Sequence, residues 1–111
     1  MMHGDQRRMM QGDQYKLPIG LGYEDGTFVT PEEAKDLEVF VGGTRKMLSK
    51  GEIEFEPLEN VFYVSLSQKE TFMMRGDVSV QARVLFRSGD VVGIDLGKLK
   101  FGQATSKVVL K

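Results

Sequence analysis

The chain has 111 residues but no cysteine, no tryptophan, one histidine and three prolines. Without cysteine there is no disulfide framework, no thiolate nucleophile and no thiolate metal site, so packing alone must hold the fold. His3 has no second histidine to share a metal with and no partner for acid–base work, and it reads as a solvated tail residue. An excess of charge of either sign is also missing. Fifteen Lys and Arg against sixteen Asp and Glu give a net charge of −1, which argues against a nucleic-acid binder with its basic stripe. No apolar run approaches the ~18 residues of a membrane helix. The start, Met1-Met-His-Gly-Asp-Gln-Arg-Arg8, lacks the apolar core of a signal peptide. We therefore expect synthesis in the cytoplasm and no membrane or nucleic-acid partner. Gly20, Gly22, Gly42 and Gly43 are not followed by the Lys-Ser/Thr of a phosphate loop. With no nucleophile–base pair and no metal set either, the expectation is a non-enzyme with no catalytic residue, cofactor or metal.

What is present is thirteen glycines punctuating short apolar runs, the pattern of an all-β domain. The clearest run is Val78–Arg87. Val78, Val80, Ala82, Val84 and Phe86 share one face, and Ser79, Gln81, Arg83 and Arg87 the other, with Leu85 the exception. Its five inward positions make it the expected centre of the core. Val61–Leu66 precedes it, with Phe62, Val64 and Leu66 inward. Between the two, Ser67 and Glu70 have capping-box spacing and predict one helical turn. Strand, capped turn, glycine, strand is a crossover between sheets and not a tight hairpin.

Leu37, Val39 and Val41 alternate with Glu38 and Phe40 up to Gly42-Gly43, and Ile53 and Phe55 alternate with Glu52, Glu54 and Glu56 up to Pro57. Thr30-Pro-Glu-Glu33 predicts a capped single turn of helix. Arg45–Ser49 is a weaker strand candidate. Ser88-Gly-Asp90 is a turn into a returning strand Val91–Asp95, and Lys98–Phe101 and Lys107–Leu110 are the last candidates. Seven or eight strands at ten-residue spacing describe one β-sandwich domain over 12–111.

Met1-Met-His-Gly-Asp-Gln6 returns as Met9-Met-Gln-Gly-Asp-Gln14, too short for a structural repeat, and residues 1–11 read as a flexible N-terminal arm. From Tyr15 the odd positions Tyr15, Leu17, Ile19, Leu21 and Tyr23 are apolar. Pro18 cannot donate a ladder hydrogen bond, which puts this strand at a sheet edge. Tyr15, Leu17, Pro18, Ile19 and Tyr23 are therefore the candidate interaction edge, with the arm expected beside it. The acids Glu32, Glu33 and Asp36, and Glu52, Glu54 and Glu56, read as solvated faces, the second set paired with lysines of the next strand. Arg75-Gly76-Asp77 reads as a bend leading into a strand. Met73 and Met74 read as a plug at the open end of the sandwich.

Gly12-Asp13, Leu66-Ser-Gln-Lys-Glu-Thr71, and Gly76 followed by Val80-Gln81-x-Arg83-Val84 together resemble the immunoglobulin-like N-terminal domain of phage baseplate upper proteins. The resemblance covers about residues 12–110 and rests on order and spacing. It implies an immunoglobulin-like antiparallel β-sandwich with one or two single-turn helices. It further implies a structural module of a phage or prophage tail or baseplate, made in the bacterial cytoplasm and carried in the virion. Its partners would be other tail or baseplate proteins, or a second copy of itself. In that family receptor-binding parts lie further along the chain. This sequence stops at the domain, which favours docking over adhesion. The other function class is a small carbohydrate-binding module for cell-wall recognition. That would need two or three exposed aromatics on one face, and the sequence offers Tyr15, Tyr23 and Tyr63 as its three tyrosines and no tryptophan.

Overall fold

The computed structural model describes residues 8–10 and 14–102. They form a sandwich of two sheets. The strands are β1 (Arg8–Met10), β2 (Tyr15–Ile19), β3 (Ala34–Val41), β4 (Thr44–Met47), β5 (Ile53–Glu56), β6 (Val61–Leu66), β7 (Gly76–Phe86) and β8 (Val91–Gly102), with one helix, α1 (Gln68–Phe72). One sheet has the order β2-β6-β5 and the other β1-β8-β7-β3-β4. Every pair is antiparallel except β1 with β8, which is parallel.

Period two places the core. Leu17 and Ile19 of β2, and Phe62 and Val64 of β6, face Leu37 and Val39 of β3 and Val80 and Val84 of β7, all fully enclosed. Burying each such side chain contributes about 1.5–3 kcal/mol. The ring of Phe55 tilts against Phe62 at 4.8 Å between centroids. β7 lies in the middle of the larger sheet, as its five inward positions imply.

β6 leaves the smaller sheet through α1 and enters the larger one as β7. The Ser67 hydroxyl accepts from the Glu70 amide at 3.1 Å, and the Glu70 carboxylate accepts from the Ser67 amide at 2.9 Å. This reciprocal cap satisfies two amides that a five-residue helix would otherwise leave open. Met74 is buried where the crossover ends, whereas Met73 points to solvent, so one of the two methionines plugs the sandwich.

Several boundaries differ from the sequence expectation. Val91–Asp95 and Lys98–Phe101 are one strand, β8, because the register slips between Val80 and Gln81 and the slack is taken up at Leu96. Gly97 adopts φ +92° there, and its amide donates to the Asp95 carboxylate at 3.0 Å. Such a bulge bends a strand without ending it. Thr30–Glu33 is a hydrogen-bonded turn and not a helix, held by Thr30 Oγ1 and the Glu33 carboxylate at 2.5 Å. The candidate strand Arg45–Ser49 divides into β4 and a 3₁₀ turn, Leu48–Lys50. Within the expected arm, Arg8–Met10 forms β1. It lies on Lys100–Gly102 of the larger sheet and not along β2 of the smaller one. The candidate strand Lys107–Leu110, His3 and most of the arm lie outside the described residues. At the tight β3–β4 hairpin Gly42 takes φ +60°, and a Cβ there would meet Val78 Cγ1 at 3.0 Å, so glycine is required twice over.

Candidate functional site

The candidate edge is where proline puts it, but its side chains are divided. Among the described residues β2 pairs with β6 alone. The Ser65 amide donates to the Glu52 carbonyl, so Ser65 turns its backbone toward the β5 side. Lys16 and Pro18 lie opposite Ser65 and Tyr63, and by alternation their backbone groups face the open side. The amide that Pro18 lacks is thus missing from the free edge, where it guards against strand addition. Leu17 and Ile19 are core residues, and Tyr15 packs against the core. Only Lys16, Pro18 and the exposed Tyr23 of this stretch offer side chains to a partner.

The three tyrosines do not share a face. Tyr15 lies on the inner side of the smaller sheet, with Leu66 opposite. Tyr63 lies on its outer side, where its hydroxyl donates to Glu59 at 2.7 Å. Tyr23 packs on Phe86 with ring centroids 6.4 Å apart. The three tyrosines therefore do not combine into one stacking platform.

The most developed polar constellation is on the outer face of the larger sheet. Glu38 of β3 lies directly opposite Arg83 of β7 in the register, and Arg45 of β4 is two residues along from Met47, its other cross-strand neighbour. Arg45 Nε donates to Glu38 Oε2 at 2.5 Å, and Arg83 Nε and Nη2 donate to Oε1 at 2.8 and 2.6 Å. The two guanidiniums cover the carboxylate, and Glu38 as a residue is 7% exposed. Hydrogen bonds from Arg45, then Arg83, hold the Glu38 carboxyl below the usual glutamate range. Around the trio Asp36, Met47, Leu85 and Val91 line an open depression of about 230 Å³. Asp36 accepts from the amides of Leu37 and Ser49 and ties the 3₁₀ turn to β3.

A second ion pair joins β4 to α1. Lys46 alternates inward from β4, and its ammonium reaches the Glu70 oxygens at 2.8 and 2.7 Å. Burial pushes the Glu70 carboxyl up, but the Lys46 hydrogen bond and the Ser67 amide outweigh it, and the net direction is down. The capping glutamate of α1 therefore also anchors the far edge of the larger sheet.

The strand beside β5 is β6, which holds no lysine to pair with Glu52, Glu54 and Glu56. Glu54 lies opposite Tyr63 and Glu56 opposite Val61. The Glu52 carboxylate accepts the Met47 amide at 3.0 Å, and its own amide donates to the Met47 carbonyl at 3.2 Å. That occupies backbone groups at the edge strand β4. Gly76 and Asp77 are the first residues of β7, with Gly76 at φ +65° just after Arg75. Among the described residues no group of three or more His, Cys, Asp or Glu is placed to hold a metal ion.

The sequence pattern missed the Glu38 trio and the Lys46–Glu70 pair. Alternation puts Glu38 outward, which it is. Its burial comes from neighbours on β4 and β7, and these depend on strand order. No protein-family model, curated protein or solved structure matches the chain.

Proposed function

We propose that this domain is an immunoglobulin-like, non-enzymatic structural module of a phage or prophage tail or baseplate, acting through protein–protein contacts within the virion. The observation that carries the reading is the crossover from β6 through α1 to β7. Here the residues of the resemblance, Leu66–Thr71, Gly76 and Val80–Val84, meet as one unit with its capping box complete. The strand order supports the immunoglobulin-like part. An immunoglobulin sandwich stacks strands B, E and D over G, F and C, with C′ added beside C in the variable type. The sheets β2-β6-β5 and β8-β7-β3-β4 follow that order. The polar outer face supports a docking role, since Glu38, Arg45, Arg83 and Asp36 present fixed charges of both signs around a shallow depression. Such patterns set partner choice and orientation more than raw affinity.

The test is a pull-down of the full chain against recombinant tail and baseplate proteins and against assembled particles, alongside a glycan array. Retention by a tail or baseplate protein, through an interface of at least ~1,000 Å², is the expected result. Glycan binding with no protein partner would overturn the proposal and promote the carbohydrate-binding reading.

A further inference from the structure

The edges of this sandwich are not equally guarded. β2 carries Pro18 on its open side, and β4 has its Met47 amide and carbonyl occupied by Glu52. β5 is four residues long, carries Glu54 and Glu56, follows Glu52, and is stopped by Pro57. Proline, inward-reaching acids and short length are the usual defences of an edge strand. β8 is different. β1 covers only Lys100–Gly102, and among the described residues no strand lies beyond Val91–Leu99. This stretch has no proline, and it exposes Val91 at 59% and Val92 at 45%.

The backbone polarity of this edge follows from the hairpin. The Phe86 amide donates to the Asp90 carbonyl, so Asp90 faces β7. By alternation Val92 and Ile94 also face β7, and Val91, Gly93 and Asp95 direct their amides and carbonyls outward. Three consecutive outward positions without a strand partner among the described residues form a template for another strand.

The geometry points to a second copy of this chain as the occupant, with the two β8 edges paired antiparallel about a two-fold axis at Gly93. In that register Gly93 meets Gly93 of the other copy, Val91 meets Asp95, and Val92 meets Ile94. The exposed Val92 and half-buried Ile94 then cover each other on the inner side. The one charge of the segment, Asp95, lies opposite an apolar residue, so no like charges are opposed. Gly93 puts no side chain at the axis, where two would crowd. Regular pairing is bounded by the bulge at Leu96 at one end and the turn Ser88–Asp90 at the other. A symmetric partner reaches no further than Lys98, just short of the segment that β1 holds. Self-pairing fails at β5, since a two-fold axis at Phe55 would oppose Glu54 and Glu56. A five-residue edge buries less than the ~1,000 Å² of a stable interface, so the dimer is of the weak, reversible kind. The inference stands on the sheet edge alone and is independent of where the domain works.

The absence of cysteine makes the test clean. Gly93→Cys introduces the sole thiol, and a Cβ at this position meets nothing closer than Arg83 Cγ at 3.9 Å. Opposed hydrogen-bonded residues in an antiparallel pair lie ~5.5 Å apart at Cα, within the ~4.4–6.8 Å a disulfide spans. Under mild oxidation Gly93→Cys should form a covalent dimer at least ~10-fold faster than Lys50→Cys, on the exposed 3₁₀ turn far from β8. Sedimentation of the unmodified full chain should show a mass rising with concentration from 12.5 kDa toward twice that value. Gly93→Pro removes an outward amide without touching the β7 ladder and should stay monomeric with its melting point nearly unchanged. If Gly93→Pro fails to fold, the comparison of the two cysteine variants decides. A full chain that stays monomeric at all concentrations, with equal cross-linking of the two cysteine variants, would overturn the inference. So would a dimer that persists in a folded Gly93→Pro protein.

Discussion

On the inner face of the larger sheet Leu37 packs opposite Val84 and Val39 opposite Ala82, all closed off by the second sheet. One position along each strand, on the outer face, Glu38 lies opposite Arg83 and is nearly as enclosed, at 7% exposure. The inner burial comes from excluding water from apolar surface and asks little of its neighbours beyond size. The outer burial is made by two arginine side chains and lasts only while the three charges stay complementary. Arg45 and Arg83 remain 48% and 62% exposed. The same two strands thus carry a permanent seal on one side and a conditional one on the other, and the second can respond to pH, salt or a partner.

The sharpest break in this comparison is Val84→Asp. It removes apolar burial and places a carboxylate where nothing can pair with it, at a cost of several kcal/mol against a total stability of about 5–15 kcal/mol. The expected outcome is loss of cooperative thermal unfolding by circular dichroism. A melting point within a few degrees of the parent would show that the inner register is misplaced.

The outer seal should show itself in acid. The Glu38 carboxyl is held below its ordinary value by Arg45 and Arg83. A carboxylate shifted down on folding adds stability that is fully present above the unfolded value, about 4.3, and is lost as pH falls through the lower native value. Glu38→Gln should therefore melt below the parent at pH 7. The gap between the two should narrow as the pH is taken below about 4. Glu70, also shifted down, titrates in both proteins, so some acid sensitivity remains in the variant. A gap that stays constant with pH would mean that Glu38 is enclosed without being stabilised in its charged form.

The inner seal was legible residue by residue, and the outer one was not. β6, α1 and β7 could be read from Val61 to Phe86 because a half-buried strand writes its face into alternate positions and a capping box writes its ends into Ser67 and Glu70. Pro18 identified an edge because a missing amide is a local property. Glu38 gave no such signal. Its neighbours Leu37 and Val39 mark it as outward, and outward ordinarily means wet. Its enclosure requires β3 to lie between β4 and β7, so that Arg45 and Arg83 arrive from both sides. Lys46 is the converse. Its inward direction is useful only because Glu70, 24 residues on, is brought beneath it. β8 reads as two segments because the bulge at Leu96 and Gly97, which joins them in the fold, leaves no sign in the alternation. β1 escaped because three residues are too few to show a period.

The smallest effects test how the outer seal is shared. Arg45→Ala and Arg83→Ala each remove one mostly exposed arginine and leave Glu38 hydrogen-bonded to the other. Each should lower stability by only about 0.5–1 kcal/mol, the range of a solvent-exposed ion pair. Reading Arg83 from alternation alone gives a tolerated substitution, and the remaining arginine is the physical reason for that tolerance. The double variant is different in kind, because it takes away the carboxylate's last partner, which either single variant leaves in place. Its loss should exceed the sum of the two single losses by roughly 0.5–3 kcal/mol, the coupling seen within one hydrogen-bonded network. Denaturant unfolding of the four proteins of the cycle measures that excess directly. An additive cycle would mean that Glu38 swings out to water once either arginine is gone. The outer face would then be a set of separate surface charges, with only the inner face sealed.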